Sequence, residues 1–164
     1  MPREIERKFV VASDEWRRGA DRGKRLRQAY IAETDRAVVR VRIEDDARGV
    51  LTIKSAESGL SRHEYEFPLK VADDETLIAL RQGSVLTKTR FHAPHAGRTW
   101  EVDVYFGDNA GLVIAEIELA AEDEAVELPA WLGREVTGAA QYYAARLAHR
   151  PYTSWSESER GKSG

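Results

Sequence analysis

Carboxylates stand two residues apart, with an apolar or aromatic residue between them, in Glu4-Ile5-Glu6, Glu64-Tyr65-Glu66, Glu101-Val102-Asp103 and Glu116-Ile117-Glu118. Cations stand at the same spacing in Arg40-Val41-Arg42 and Lys88-Thr89-Arg90, and Lys8 and Lys54 stand alone in similar settings. Residues two apart share one face of a strand, and like charges on one face repel unless opposite charge lies between them. Glu4, Glu6, Asp103, Glu116 and Glu118, with no His or Cys among them, make a hard oxygen set suited to Mg²⁺ or Mn²⁺ and poorly suited to zinc. Arg40, Arg42, Lys54, Lys88 and Arg90 make a basic set that grips phosphate oxygens, Arg through its fork and Lys as a point charge. Both sets on one face point to a metal complex of a polyphosphate, which completes the pairing of charges otherwise costly to bury.

The elements that must carry these residues follow from a hydrophobic period of two. It predicts strands over residues 3–12, 27–33, 36–44, 49–55, 61–69, 85–92, 98–105 and 112–120, and helices over 14–19, 73–82 and 137–149. Turn chemistry falls at residues 45–49, at Glu57-Ser58-Gly59, at 93–97 and at 107–111. Short connections imply an antiparallel meander. Eight strands can close on themselves, which turns the charged face inward. The expected fold is α+β: an eight-stranded antiparallel β-barrel forming a closed tunnel, with a few flanking helices. An open sheet with one solvated face is the plainer alternative.

Composition narrows the remaining classes. The 164 residues hold 25 Lys+Arg against 28 Asp+Glu and are 42% hydrophobic, which fits one compact domain and excludes a disordered chain. There is no Cys, so disulfide scaffolds, zinc ribbons, iron–sulfur clusters and thiol nucleophiles are excluded. The charged start, Arg3-Glu4-Ile5-Glu6-Arg7, is unlike a signal peptide, and no stretch nears the roughly 18 apolar residues of a membrane span. The expectation is a cytoplasmic protein without a membrane or nucleic-acid partner. The small polar residues 153–164 read as a disordered tail behind a domain over 1–152. Gly161-Lys162-Ser163 ends like a P-loop, but Ser156 stands where that motif needs Gly.

Glu4-Ile5-Glu6-Arg7-Lys8 resembles the Glu-x-Glu-x-Lys signature of the CYTH domain, the triphosphate tunnel metalloenzymes. Gln28-Ala29-Tyr30, Val39-Arg40-Val41-Arg42, Leu51-Thr52-Ile53-Lys54, Glu64-Tyr65-Glu66, Lys88-Thr89-Arg90, Trp100-Glu101-Val102-Asp103, Ala115-Glu116-Ile117-Glu118 and the run 131–137 extend the likeness in order over about residues 3 to 150. The resemblance implies an eight-stranded tunnel, dependence on a divalent metal and a substrate carrying a triphosphate. It makes Lys8, Arg40, Arg42, Lys54, Lys88 and Arg90 phosphate ligands and Glu4, Glu6, Asp103, Glu116 and Glu118 metal ligands. It adds Glu64 and Glu66 as additional metal ligands and, with Lys8 and Tyr30, as the catalytic residues; it makes Tyr30 the residue that orients Lys8, and it suggests a homodimer. It departs at Ala144, where family members often carry Asn.

The family includes inorganic triphosphatases, thiamine triphosphatases and class IV adenylyl cyclases, so the fold alone does not choose the reaction. The chain is short, shows no pocket elements for adenosine or thiazolium, and over residues 109–116 is similar to the small bacterial triphosphatases. Hydrolysis of inorganic triphosphate to pyrophosphate and phosphate is therefore expected. Other organic triphosphate hydrolysis, cyclisation of ATP, and a module that binds polyphosphate without turnover are the alternatives. His92 and His95 read as loop residues, Trp16, Trp100 and Trp131 as packing anchors, and the arginines over 17–27 as a solvated face.

Overall fold

The computed structural model describes residues 3–56 and 61–161. The turn expected at Glu57-Ser58-Gly59 and the Lys162-Ser163 pair lie outside the described residues. The strands are β1 (Arg3–Val11), β2 (Lys24–Glu33), β3 (Ala37–Glu44), β4 (Arg48–Ser55), β5 (Ser61–Leu69), β6 (Gln82–His95), β7 (Arg98–Phe106), β8 (Val113–Glu118) and β9 (Leu132–Glu135). Their order is β5-β4-β3-β2-β6-β7-β8-β1-β9, and β1 also pairs with β5. Eight antiparallel strands thus close into a barrel, and each expected strand is among them.

Closure depends on how β1 divides its partners. One edge pairs Glu6–Val10 with β8; the other pairs Arg3–Ile5 with β5 and then Phe9 and Val11 with β9, with a shift of register between those two. The short strand β9 was not expected from sequence. Gly133 lets it approach, since a Cβ there would stand 3.0 Å from Val10 Cγ2 and 3.2 Å from its carbonyl oxygen. β6 runs further than expected: the turn shrinks to Ala96 and Gly97, both at positive φ, between the paired His95 and Arg98. Pro94 is tolerated because the β2 partner strand has ended at Arg90, leaving that edge of β6 open.

Apolar residues on the outer face are covered in patches. α1 (Val71–Ile78) packs Ile78 onto Ala29, Val41 and Ile43. Trp16, from a 3₁₀ turn over Asp14–Arg17, and Trp131 pack with Phe9, Trp100, Val102 and Ile117, which confirms the tryptophans as packing anchors. The described residues include no helix long and apolar enough to cross a membrane.

Two expectations for the C-terminal end are corrected. The helix over 137–149 is instead a 3₁₀ turn, Ala140–Tyr142, followed by a single turn, α2 (Ala144–Leu147). Gly138 takes a left-handed φ of +77°, and Tyr143 is extended, so neither can continue a helix. The tail is ordered through residue 161. Tyr152 and Trp155 are buried, and Trp155 meets the Tyr142 and Tyr152 rings edge-on at 5.1 and 5.0 Å. Buried Asn109 accepts the Tyr152 backbone N–H at 2.8 Å. The small polar residues hide one aromatic anchor, Trp155, and burial of its ring against Tyr142 and Tyr152 offsets the entropy of ordering the segment.

Candidate functional site

Alternation along the closed strands delivers the charged residues to the interior, where they line a cavity of about 520 Å³. β1 contributes Glu4, Glu6 and Lys8; β3 Arg40 and Arg42; β4 Lys54; β5 Glu64 and Glu66; β6 Lys88 and Arg90; and β8 Glu116 and Glu118. Tyr30 also faces inward, beside a bulge in β2. Towards one end the interior turns apolar, with Leu86, Tyr105 and Ile114 packed against Tyr142, Leu147 and Trp155.

The interior charges are paired across strands. Lys54 lies 3.1 Å from Glu4 and 3.4 Å from Glu64, Lys8 lies 3.5 Å from Glu116, and Arg42 lies 3.3 Å from Glu66. Burial pushes Glu64 up to about 7, helped by its hydrogen bond to Glu4. For Glu4 burial is outweighed by that bond and by Lys54, so Glu4 is held below the usual carboxylate range. Glu6 is pushed well above that range by burial, then by the charges of Glu116 and Glu4. Glu118 is raised by burial and by Glu101. Glu116 is lowered, because Lys8 and Arg90 outweigh its burial.

Asp103 is the exception among the expected metal ligands. It is 1% exposed and accepts hydrogen bonds from Lys88 Nζ at 2.7 Å and from Arg90 Nε and Nη2 at 2.8 and 2.9 Å. Its oxygens are therefore committed to holding those two cations, and it does not line the cavity. Burial disfavours its charge, yet Arg90 and Lys88 hold Asp103 below the ordinary range. Lys88 is pushed down to about 8 by burial against the attraction of Asp103. Both members stay mainly charged at neutral pH.

Glu4, Glu6, Glu116 and Glu118 fit a hard dication chemically. They are all oxygen donors, and Glu6 and Glu118 are raised by burial and then by neighbouring negative charge, which a cation would relieve. Among the described residues no three carboxyl or imidazole groups converge as a ready coordination shell. Lys54 and Lys8 engage oxygens that a cation would take.

Glu101, Arg62, Tyr143 and Gln28 are among the lining residues that were not assigned a site role from sequence. Glu101 bonds Arg90 at 3.0 Å. Arg62 lies over the Tyr143 ring at 5.4 Å, and Lys8 lies 5.7 Å from the same ring. Gln28 lies on the wall beside Arg42. The alternation carried a signal for Arg62 and Glu101, which share faces with Glu64 and Asp103. Tyr143, the extended residue between the two C-terminal turns, reaches the cavity from there. His92 bonds Asp21 at 3.0 Å on β6 rather than on a loop.

The CYTH domain family matches residues 2–152. An inorganic triphosphatase of Acetivibrio thermocellus is 42% identical over 158 residues, 96% of this chain and 100% of that protein. An inorganic triphosphatase of Nitrosomonas europaea is 37% identical over 149 residues, 88% of this chain and 96% of that protein. A crystal structure of an inorganic triphosphatase superposes with a TM-score of 0.65 at 33% identity, covering 88% of this chain and 93% of that one.

Proposed function

The chain belongs to the CYTH domain family, and on that footing we propose that it hydrolyses inorganic triphosphate to pyrophosphate and phosphate, with Mg²⁺ or Mn²⁺, inside the barrel. The observation that carries this reading is the two-signed lining of the cavity, with cations and carboxylates on one continuous inner wall. Such a wall suits a polyanion that arrives with its own metal.

Arg40, Arg42, Lys54, Lys88 and Arg90 bind the phosphate chain and neutralise charge that builds up on the leaving pyrophosphate. Asp103 aims two of them, because a guanidinium and an ammonium tied to one buried carboxylate cannot wander. Glu4, Glu6, Glu116 and Glu118 would hold the metal, which when bound supplies Lewis-acid stabilisation of phosphoryl oxygens. Lys8, oriented by Tyr30, acts at the reacting end with Glu64 and Glu66. A water oxygen forms the new bond to the terminal phosphorus, the bond to the bridging oxygen breaks, and pyrophosphate departs. Glu64 suits the role of proton acceptor from that water, since a group near 7 can exchange a proton at neutral pH.

The test is phosphate release from inorganic triphosphate, ATP, pyrophosphate and thiamine triphosphate, each with Mg²⁺ and with Mn²⁺. Fast metal-dependent turnover of inorganic triphosphate over the others is expected. Binding without turnover, or faster turnover of an organic triphosphate, would overturn the assignment.

A further inference from the structure

Gln28 is the polar residue of this wall whose burial has no internal explanation. Its side chain is 0% exposed, and neither Nε2 nor Oε1 has a hydrogen-bond partner among the described residues. A buried carboxamide with both ends unmet is costly, and native interiors rarely keep one without use. Were it only filling the wall, Leu or Met would do so without that cost.

Its neighbours show the same shortage of acceptors. Gln28 stands directly across from Arg42 in the β2–β3 register, and the next inward position, Tyr30, stands across from Arg40. Arg40 makes no carboxylate ion pair among the described residues; its Nη2 donates to Thr52 Oγ1 at 3.2 Å, and its Nε is buried without a partner. The Arg42 Nε is also buried and unpartnered. Three unmet N–H donors therefore gather on adjacent strands, and each group borders the cavity. Donors so arranged fit a group made of acceptors, which a fully ionised phosphoryl group is.

The Gln28 carbonyl oxygen cannot face the same phosphoryl oxygens, because acceptors repel. It needs a hydrogen, and a water molecule beside the phosphoryl group supplies one. We propose that Gln28 is a substrate-binding residue whose Nε2 donates to a phosphoryl oxygen shared with Arg40 and Arg42, while Oε1 accepts a hydrogen from an adjacent water. The carboxamide has no exposed area while Arg42 is engaged with Glu66 and Glu44. A phosphoryl group that draws Arg42 towards itself uncovers it. This inference rests on the reading of the cavity as a triphosphate site and adds to it a neutral group that no charge pattern announces.

The experiment compares the wild-type protein with Gln28→Leu and Gln28→Met in two measurements. Calorimetric titration with inorganic triphosphate in EDTA reads affinity, and thermal unfolding with and without triphosphate reads stability. Both variants are expected to bind triphosphate on the order of 10-fold more weakly. Both are expected to unfold, without ligand, at the wild-type temperature or above it, because an unmet polar group has been removed. Unchanged affinity in Gln28→Met overturns the inference, and so does a fall in unliganded stability that tracks the loss of affinity, since Gln28 would then be structural. A wild-type protein that binds no triphosphate in EDTA and turns none over with Mg²⁺ or Mn²⁺ overturns the reading of the cavity itself, a result distinct from a wild type that binds and a variant that binds equally well.

Discussion

Replacing Asp103 by Asn removes one negative charge and almost no volume from the most buried ion cluster in the barrel. The wild-type carboxylate accepts three hydrogen bonds from Lys88 and Arg90 at 2.7 to 2.9 Å, and Lys88 is itself only 4% exposed. In the variant Arg90 keeps Glu101 at 3.0 Å, but Lys88 keeps no ion-pair partner. Removing one member of a buried pair costs about 3–5 kcal/mol, since the remaining charge stays in low dielectric. The Asn carbonyl can still accept a hydrogen bond, but its amide points a donor at donors, so the upper part of that range is expected. At roughly 2–4 °C per kcal/mol for a chain of this size, the melting temperature should fall by about 6–20 °C. The assay is thermal unfolding followed by circular dichroism at pH 7 in EDTA, with reversibility checked for both proteins. Triphosphate should restore more stability to the variant than to the wild type, because it brings the missing anion. A fall below about 1 kcal/mol would refute the reasoning, because Asp103 would then be neither buried nor needed as the counter-charge.

Three further outcomes follow from the same structure. Glu64 has its pKa raised from 4.5 to about 7, so its contribution to stability is fully present below 4.5 and is lost as pH rises through about 7. The metal-free protein should therefore melt lower at pH 8 than at pH 5, and Glu64→Gln should flatten that slope; an equal slope in the variant would assign it elsewhere. Trp155→Ala should cost about 3–5 kcal/mol in urea unfolding, since the ring is 4% exposed and packed on two tyrosines; a loss under 1 kcal/mol would return residues 153–161 to a disordered tail. Gly133→Ala should cost about 1–3 kcal/mol by pressing a methyl group against Val10, with faster hydrogen exchange at Val136, whose N–H bonds the Lys8 carbonyl.

The strands and the inward charges were legible because both follow from a period of two that survives in the folded barrel. Lys88 and Arg90 could be placed on one face without knowing a single partner strand. Partner choice could not be read. Glu101 and Asp103 are chemically alike and share a face, yet packing beneath Lys88 and Arg90 turns Asp103 into an anchor while Glu101 stays on the cavity wall. The four residues of β9 are too few for a pattern, and their pairing depends on Gly133 meeting β1 across more than a hundred residues of chain. The C-terminal segment misled for a related reason. Its apolar spacing suits a helix, but Gly138 and the mutual packing of Tyr142, Tyr152 and Trp155 give those side chains a better place to go. Gln28 stood in a run that resembles the family but drew no role of its own, because an uncharged side chain shows its importance only when its hydrogen bonds are counted.

The most direct test of the charged barrel as a metal–triphosphate site is a crystal structure of the Glu4→Gln variant, chosen to slow turnover, grown with Mn²⁺ and inorganic triphosphate. The account predicts the phosphate chain inside the barrel along Arg40, Arg42, Lys88 and Arg90, with anomalous manganese signal at the Glu6, Glu116 and Glu118 side. Triphosphate bound on the outer surface, or an interior that keeps its own ion pairs while manganese binds elsewhere, would contradict it.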